Sequence, residues 1–461
     1  MPRAGWTKPE SERRLSDLVS VGVLMRTFPP SLVDDLIAET GRKEQRHRSL
    51  PARTMAYFAI GMALHSEGSY EDVLGLLSDG LSWATGDEPV RLPSKSAIFQ
   101  ARSRLGSKPL AALFSRVARP LAGANTPGAH LAGRRLVAID GTCLDVADTT
   151  ENDEFFGRPG VNKGEQAAFP QARVVALAEC GTHAIFDVAV GAYTTSENTL
   201  AREVIDRLEP GMLLLADRGF CGFPLWNRAQ ATGADLLWRA MGSMKPRHVE
   251  TLEDGSWLAE LRPSGNAGRH ADGLTIRVID YEIDDGRDND TSYRLFTTLL
   301  DPDEAPAEEL AIAYAQRWEI EAAFDELKVH QRGPRTVLRS KSPDLVLQEI
   351  WGHLCCHFAI RTLMWEAADE AHVDPDRVSF VAALRIVRRS ITAARDFPPR
   401  GAERGWRHAI ALLCQRLNPT RRHRSNPRLV KRKYVKWHVK RTHHQDWPQP
   451  TGPPIARILR I

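Results

Sequence analysis

The sequence predicts an α/β protein built on a β-sheet, with a β-rich insertion and helical regions at both ends. Three apolar runs of strand length, followed by alternating helical and strand patterns, predict the sheet. Alternating apolar and polar residues between turns predict the insertion, and helical periodicity predicts the flanking regions. A chain of 461 residues is long for one domain. We therefore divide it into a helical N-terminal region (1–128), the sheet core (129–240 and 306–375), the β-rich insertion (241–305) and a helical C-terminal region with a basic tail (376–461).

The N-terminal region is predicted to form a separate helical unit. Apolar residues at helical spacing predict amphipathic helices over Leu15–Met25, Ser31–Thr40, Thr54–His65 and Tyr70–Leu77. Two more helices are predicted between Pro93 and Phe114, with Ser94 as a cap and Gly106 in the turn. Helices joined by so short a turn have the shape of a helix-turn-helix.

Strand-length runs predict the sheet and place two carboxylates in it. Residues 134–142 and 211–220 each contain a buried strand, with Asp140 on or just past the first strand and Asp217 at the exit of the second. An aspartate in such a position is also a common turn former or helix cap. The other predicted elements are strands over Arg173–Cys180, Ala184–Val190 and Asp235–Trp238, and helices over Ser196–Leu208 and Phe223–Ala231.

Alternating patterns at Leu274–Tyr281 and Tyr293–Leu299 predict the strands of the insertion, and a helix follows it. On that helix Tyr314, Arg317, Glu321 and Lys328 lie within an arc of about 60°. Such residues are also common on solvated faces, and Arg317 with Glu321 would form an ordinary ion pair. Two further carboxylates would favour a functional site, because a pair of Mg²⁺ ions needs several oxygen ligands around one point.

The spacing Tyr-x2-Arg-x3-Glu-x6-Lys, together with Asp140 and Asp217, resembles the YREK signature of the DDE transposases of bacterial insertion sequences, of the insertion element 4 type. Residues 15–64 resemble the N-terminal domain of the same family. The resemblance implies a ribonuclease-H-like core with an insertion before the glutamate helix. It also implies an enzyme that cuts the ends of an insertion sequence and joins them to target DNA.

The resemblance identifies Asp140, Asp217 and Glu321 as catalytic ligands of two Mg²⁺ ions, for which Mn²⁺ can substitute. Such ions activate the attacking hydroxyl and stabilise the leaving oxygen. Arg317 and Lys328 are suited to gripping phosphates, and Tyr314 to donating a hydrogen bond to DNA. The side chain of Trp318 either stacks on a flipped base or packs in the core.

Basic residues are concentrated near the C-terminus, although the net charge is only +4. Pro419–Gln445 carries ten Lys or Arg and no acid, interleaved with Tyr434 and Trp437. This composition predicts binding to phosphates, a solvated arm being the alternative. The DNA contacts predicted there are Arg428, Lys431, Arg432 and Lys433. Through the resemblance, Arg42, Lys43, Arg46, Arg48 and Arg53 become a second candidate surface.

The expected partner is double-stranded DNA, both transposon ends and target, bound by a homodimer that assembles on it. The sequence has no apolar run of 18 residues and no visible signal peptide, which predicts a cytoplasmic protein without membrane segments. The six cysteines show no CxxC pairing, so we expect reduced thiols. A zinc site at His353, Cys355, Cys356 and His357 is disfavoured, because this stretch is apolar and helical.

Two other interpretations remain open. A host nuclease or recombinase of the same fold would hydrolyse DNA without strand transfer. A repressor with a decayed catalytic site would bind DNA only, but the three acids and the YREK pattern are intact.

Overall fold

The computed structural model describes residues 19–46, 48–85, 92–160, 165–242, 244–263, 273–284, 292–334, 336–392, 399–420 and 455–459. The N-terminal region contains helices α1 (Pro30–Glu39), α2 (Ala52–Leu64), α3 (Tyr70–Thr85), α4 (Lys95–Leu105) and α5 (Lys108–Val117). These confirm the helices predicted from Ser31 onward. The Ser94 cap is also confirmed, because its hydroxyl accepts a hydrogen bond from the Ala97 N–H group.

The helix predicted over Leu15–Met25 is wrong in the part of that range that the structure describes. The chain forms only a short 3₁₀ helix, Gly22–Arg26. Gly22 has a φ of 61°, and a Cβ atom there would lie 2.3 Å from the Ser390 hydroxyl oxygen. The stretch is apolar because it packs into the core, but a left-handed glycine does not continue an α-helix.

The strands form one mixed sheet. Their bounds are β1 (His130–Leu131), β2 (Arg134–Asp145), β3 (Gln171–Glu179), β4 (Ile185–Ala192), β5 (Met212–Ala216), β6 (Asp235–Arg239), β7 (Arg247–Thr251), β8 (Trp257–Leu261), β9 (Leu274–Asp284), β10 (Ser292–Thr297) and β11 (Ile455–Ile458). The order is β4-β3-β2-β5-β6-β10-β9-β8-β7, with β1 beside β2 and β11 beside β9. Strands β2 to β4 are antiparallel, and β5 and β6 run parallel to β2. This is the predicted ribonuclease-H-like arrangement.

Helices cover both faces of this sheet. The remaining helices are α6 (Thr150–Phe156), α7 (Glu197–Ile205), α8 (Phe223–Gln230), α9 (Ala307–Tyr314), α10 (Glu319–Asp325), α11 (Pro343–Glu370), α12 (Phe380–Ile391) and α13 (Pro399–Cys414). On one face, Val137 and Ile139 of β2 pack with α7 and α8. On the other face, Leu136 and Ala138 belong to the core formed with α9 to α13. Alternate residues of each strand therefore face different helical layers.

The insertion extends the sheet sideways. Strand β10 pairs antiparallel with β6, Leu295 lying opposite Arg239, and β9, β8 and β7 follow in turn. The predicted β-rich character is confirmed, and the core sheet and the insertion share one hydrogen-bonded ladder. The far strand of that ladder, β7, is exposed along its whole length.

The segment predicted as one helix over Tyr314–Lys328 is helical throughout but irregular. Helix α9 ends at Tyr314, a 3₁₀ helix spans Ala315–Trp318, and a π-helix spans Glu326–Gln331 after α10. Because 3₁₀ and π turns have different periods from an α turn, the 100° wheel holds only within α10. The prediction of a uniform α-helix is therefore wrong.

Helix α11 lies at the centre of the helical layer. A Cβ atom on Gly352 would lie 2.7 Å from the Ala59 carbonyl oxygen, so α2 packs directly on α11. The N-terminal helices share one core with α11, α12 and α13. The N-terminal helices therefore pack against the helical layer of the core, and the domain boundaries proposed from the sequence stay predictions.

The four His and Cys residues between His353 and His357 are buried in α11. Burial raises the pKa of the Cys355 and Cys356 thiols well above their usual range, which favours the protonated form. Protonated, buried thiols at Cys355 and Cys356 agree with the expectation of reduced cysteines. No helix in the described part of the chain is long and apolar enough to cross a membrane.

Strand β11 brings the chain back to the sheet, where Ile455 lies opposite Asp284 and Ile458 opposite Tyr281 of β9. The predicted DNA contacts Arg428, Lys431, Arg432 and Lys433 lie outside the described residues, between α13 and β11 in sequence.

Candidate functional site: a carboxylate cluster beneath a helix

Asp140 lies on β2, and Asp217 directly follows the neighbouring strand β5. The parallel register of β2 and β5 pairs Ile139 with Ala216. The residue after Ile139 is Asp140, and the residue after Ala216 is Asp217. Neighbouring strands are about 4.8 Å apart. Asp217 follows the end of β5 as predicted. Asp140 lies on its strand, one of the two predicted positions, but the strand does not end there, because β2 continues to Asp145 in register with β3.

Arg317 links the third predicted carboxylate to this pair. Its Nη1 atom lies 3.5 Å from Asp140 Oδ2, and its Nη2 donates to Glu321 Oε1 at 3.3 Å. The Arg317 side chain is only 6% exposed, whereas that of Glu321 is 44% exposed. The expected i,i+4 ion pair is therefore present, but its cation also bridges α10 to the sheet.

The electrostatic setting disfavours a charged Asp140. The pKa of Asp140 is raised to about 6, mainly by burial and to a smaller extent by the carboxylates of Glu321 and Glu197. A hydrogen bond from the Gly141 N–H group and the charge of Arg317 act in the opposite direction. Ionised carboxylates around a partly buried point are stabilised by nearby cations.

The three predicted ligands do not converge as closely as a filled metal site would require. Among the described residues, the group whose ligand atoms all lie within 4.8 Å of one another is His183, Glu319 and Asp376. Glu319 is adjacent in the helix to the predicted site but is not one of its predicted residues. Arg317 lies between Asp140 and Glu321, which accounts for their separation.

Tyr314 is turned inward. Its hydroxyl donates a hydrogen bond to the Ala216 carbonyl at 3.2 Å, and the residue is 7% exposed. Burial raises the pKa of this phenol well above its usual range. The Tyr314 hydroxyl does not face DNA as predicted, because it donates its hydrogen bond to the end of β5, just before Asp217.

Lys328 and Trp318 lie at the border of the same site. Lys328 Nζ donates to Thr142 Oγ1 at 2.9 Å, and Thr142 lies two residues beyond Asp140 on the same face of β2. Trp318 is 48% exposed, and the Arg317 guanidinium carbon lies 4.8 Å from its ring centre. Packing of Trp318 in the core, one of the two alternatives, is therefore wrong.

Glu197 is a further carboxylate that sequence reasoning missed. It is the first residue of α7, and its Cδ would lie 2.7 Å from a Cβ atom on Gly141. Only glycine leaves room for this approach. A glycine inside a strand often marks a close contact, and that was the only signal in the sequence.

A basic cleft of about 410 Å³ lies in the N-terminal region, between the α1–α2 loop and the end of α4. Its lining includes Arg42, Lys43, Arg46, Arg48 and Arg104, with Glu44 as its one acid. The structure thus brings together four of the five predicted cations and adds Arg104. The fifth, Arg53, lies elsewhere and forms an ion pair with Asp34.

Sequence comparisons agree with this architecture. Residues 131–359 match a model of the transposase DDE domain, and residues 18–115 match one of the insertion element 4 transposase N-terminal domain. Fold and sequence together define the class of protein, a DDE transposase, which implies dependence on divalent metal ions.

Two curated relatives come from Escherichia coli (strain K12). The transposase InsG for insertion sequence element IS4 is 31% identical over 430 residues, which is 92% of each chain. The chain therefore belongs to the insertion element 4 family of transposases. The putative transposase InsZ is 28% identical over 228 residues, 50% of this chain and 74% of the relative. A cryo-EM structure of a piggyBac transposase synaptic complex with hairpin DNA has a TM-score of 0.41 at 11% identity, covering 85% and 84% of the two chains.

Proposed function

We propose that this transposase cuts the ends of its insertion sequence and joins them to target DNA by Mg²⁺-dependent phosphoryl transfer. The observation that carries the proposal is the register of β2 and β5, which sets Asp140 beside Asp217. Arg317 then connects the pair to Glu321 on α10. These three carboxylates are the proposed catalytic groups.

The donor set suits a hard divalent cation. Asp140, Asp217 and Glu321 offer only carboxylate oxygens, which Mg²⁺ and Mn²⁺ prefer. Burial raises the pKa of Asp140 by more than the charge of Arg317 lowers it. When bound, a pair of such ions would activate the attacking water or 3′-hydroxyl and stabilise the leaving oxygen.

The surrounding side chains would hold the DNA. Arg317 is within reach of two of the carboxylates, so it is suited to contact a phosphate at the scissile bond once cations occupy the site. Lys328, beside Thr142, would contact a phosphate on the β2 side. The exposed face of Trp318 is suited to stacking on an unpaired base.

The basic cleft of the N-terminal region is the second proposed DNA contact. Lys43, Arg46 and Arg48 form no ion pair with any residue that the structure describes. The Nε atom of Arg104 is buried without a hydrogen-bond partner among the described residues. Five cations with one acid in a concave surface would neutralise several phosphates of a duplex.

The catalytic proposal is tested with Asp217→Asn and Glu321→Gln. The substrate is a duplex carrying the inverted repeat that flanks the coding region. We expect both variants to bind this duplex normally and to lose cleavage in Mg²⁺ and in Mn²⁺. Asp325→Asn is the matched control, because this exposed carboxylate lies on the same helix and faces His330.

The outcomes separate the alternatives. If Glu321→Gln cleaved DNA normally and Asp325→Asn lost cleavage, Asp325 and not Glu321 would be the third metal ligand. Wild-type hydrolysis of ends without joined products would favour a nuclease. Binding without cleavage would favour a repressor.

The cleft is tested by the salt dependence of duplex binding. An Arg46→Gln, Arg48→Gln double variant should reduce the slope of log K against log salt by about 2, since two phosphate contacts disappear. Arg116→Gln is the control, because it removes an exposed cation that is paired with Glu39 in the same region. An unchanged slope in the double variant would remove the cleft from the DNA surface.

We also propose that two copies assemble on the DNA, in the bacterial cytoplasm at the nucleoid. Light scattering of the protein with and without the end duplex would test the assembly. A complex with one protein chain per duplex at all concentrations would contradict it.

A further inference from the structure

The helix that carries Glu321 has a second polar stripe on its opposite side. Within α10, Glu319 lies 200° from Glu321 on a helical wheel. Glu326, in the π turn that follows, approaches the same His183 ring as Glu319 does. One stripe, with Arg317 and Glu321, faces the carboxylate cluster. The other, with Glu319 and Glu326, points into the protein.

The inner stripe is held by buried charged groups from two other elements. The imidazole Nε2 of His183, in the turn between β3 and β4, is hydrogen-bonded to Glu319 and lies 3.4 Å from Asp376 Oδ1. Arg361 of α11 donates Nε–H to Glu326 Oε2 at 2.8 Å, and its Nη2 contacts His183 Nδ1. His357 Nε2 lies 3.2 Å from the same Glu326 oxygen. His183 and Arg361 thus connect both glutamates.

The local helix geometry makes such contacts mechanically important. Helix α10 has only seven residues between a 3₁₀ turn and a π turn, so the regular ladder of hydrogen bonds is short. Its two glutamates are attached near its start and just past its end. His183 adopts a φ of 55°, a conformation uncommon outside glycine that directs this ring to the helix.

We propose that His183 and Arg361 act as a rotational clamp, as positioning residues that fix the direction of Glu321. With a side-chain radius of about 5–6 Å, a helix rotation of about 10° would move the Glu321 carboxylate by about 1 Å. A displacement of that size costs up to about 100-fold in rate. The proposal rests on the assignment of Glu321 as a metal ligand.

The test compares variants of the clamp with a variant that is merely destabilised. His183→Gly removes the ring and permits the left-handed backbone, and His183→Asn restores a polar group that tolerates that conformation. We expect cleavage of end DNA at saturating DNA to fall about 10- to 100-fold in His183→Gly. The Mn²⁺ concentration for half-maximal cleavage should rise several-fold, and His183→Asn should recover much of both. Leu413→Ala, a buried residue of α13, serves as the control matched in thermal midpoint.

The control should keep the wild-type Mn²⁺ dependence. If His183→Gly also keeps it, below its thermal midpoint, the clamp is refuted. Should His183→Gly not fold, Glu319→Ala removes the same contact from the helix side, and a normal Mn²⁺ dependence there would refute the clamp equally. Failure of the wild type to cleave in any metal would instead contradict the proposed function.

Discussion

Asp140 should destabilise the metal-free protein, and Asp140→Asn should relieve that cost. Folding raises the pKa of Asp140 from 3.8 to about 6, with burial as the largest cause. By linkage this rise corresponds to a penalty of about 3 kcal/mol when the carboxyl is ionised in both states. The penalty is absent only well below the unfolded-state pKa of 3.8, where the group is protonated folded and unfolded. It grows between pH 4 and 6 and is complete above pH 7.

The assay is urea unfolding of wild type and Asp140→Asn in chelator, from pH 4 to pH 8. The variant should exceed the wild type by only about 0.5 kcal/mol at pH 4 and by up to about 3 kcal/mol at pH 8. Added Mn²⁺ should then stabilise the wild type more than the variant. Asp325→Asn, at an exposed site, should show neither effect. Equal stabilities at pH 8, or a difference that widens toward pH 4, would refute the electrostatic argument.

Three smaller perturbations test other contacts. Tyr314→Phe should cost about 1 kcal/mol of stability and reduce cleavage with unchanged duplex affinity, because it frees the Ala216 carbonyl; weakened DNA binding would restore its role as a DNA contact. Gly352→Ala should destabilise by about 1–3 kcal/mol in urea, because the new methyl group meets the Ala59 carbonyl; an unchanged midpoint would show that α2 and α11 separate easily. His65 has its pKa lowered to about 4, first by burial and then by Arg388. Stability should therefore fall as the pH drops from 6.5 to 4, and His65→Asn should lose that dependence in thermal melts. The same pH dependence in the variant would show that burial of the His65 imidazole is not its cause.

Local sequence patterns were sufficient to predict those features of the fold that depend on a single helix or strand. The apolar runs before Asp140 and Asp217 predicted buried strands, because residues covered on both faces leave little else possible. The register that sets the two aspartates side by side depends on which strands are neighbours in the sheet. The apolar pattern predicted the order of the elements along the chain, and only the resemblance equated that order with a ribonuclease-H-like fold. Gly22 shows the limit, since its left-handed backbone depends on contact with Ser390, far away in sequence.

Long-range contacts account for what was missed. The 3₁₀ and π turns around α10 break a helical pattern that is regular in sequence, and their side chains are held by His183 and Arg361 from distant elements. Arg104 joins the basic cleft through the packing of α4 beside the α1–α2 loop. These contacts join residues that are far apart in the sequence, so local periodicity does not indicate them.

The pairing of β11 with β9 sets a geometric limit on the basic segment that precedes it. Residues 421–454 are bounded by α13 and its short C-terminal extension on one side and by a strand of the insertion on the other. An extended chain spans at most about 3.3–3.6 Å per residue, and a chain fixed at both ends reaches only about half as far as one fixed at a single end. Deleting the segment would also shorten the link to β11, so charge neutralisation is the cleaner way to measure what its cations contribute.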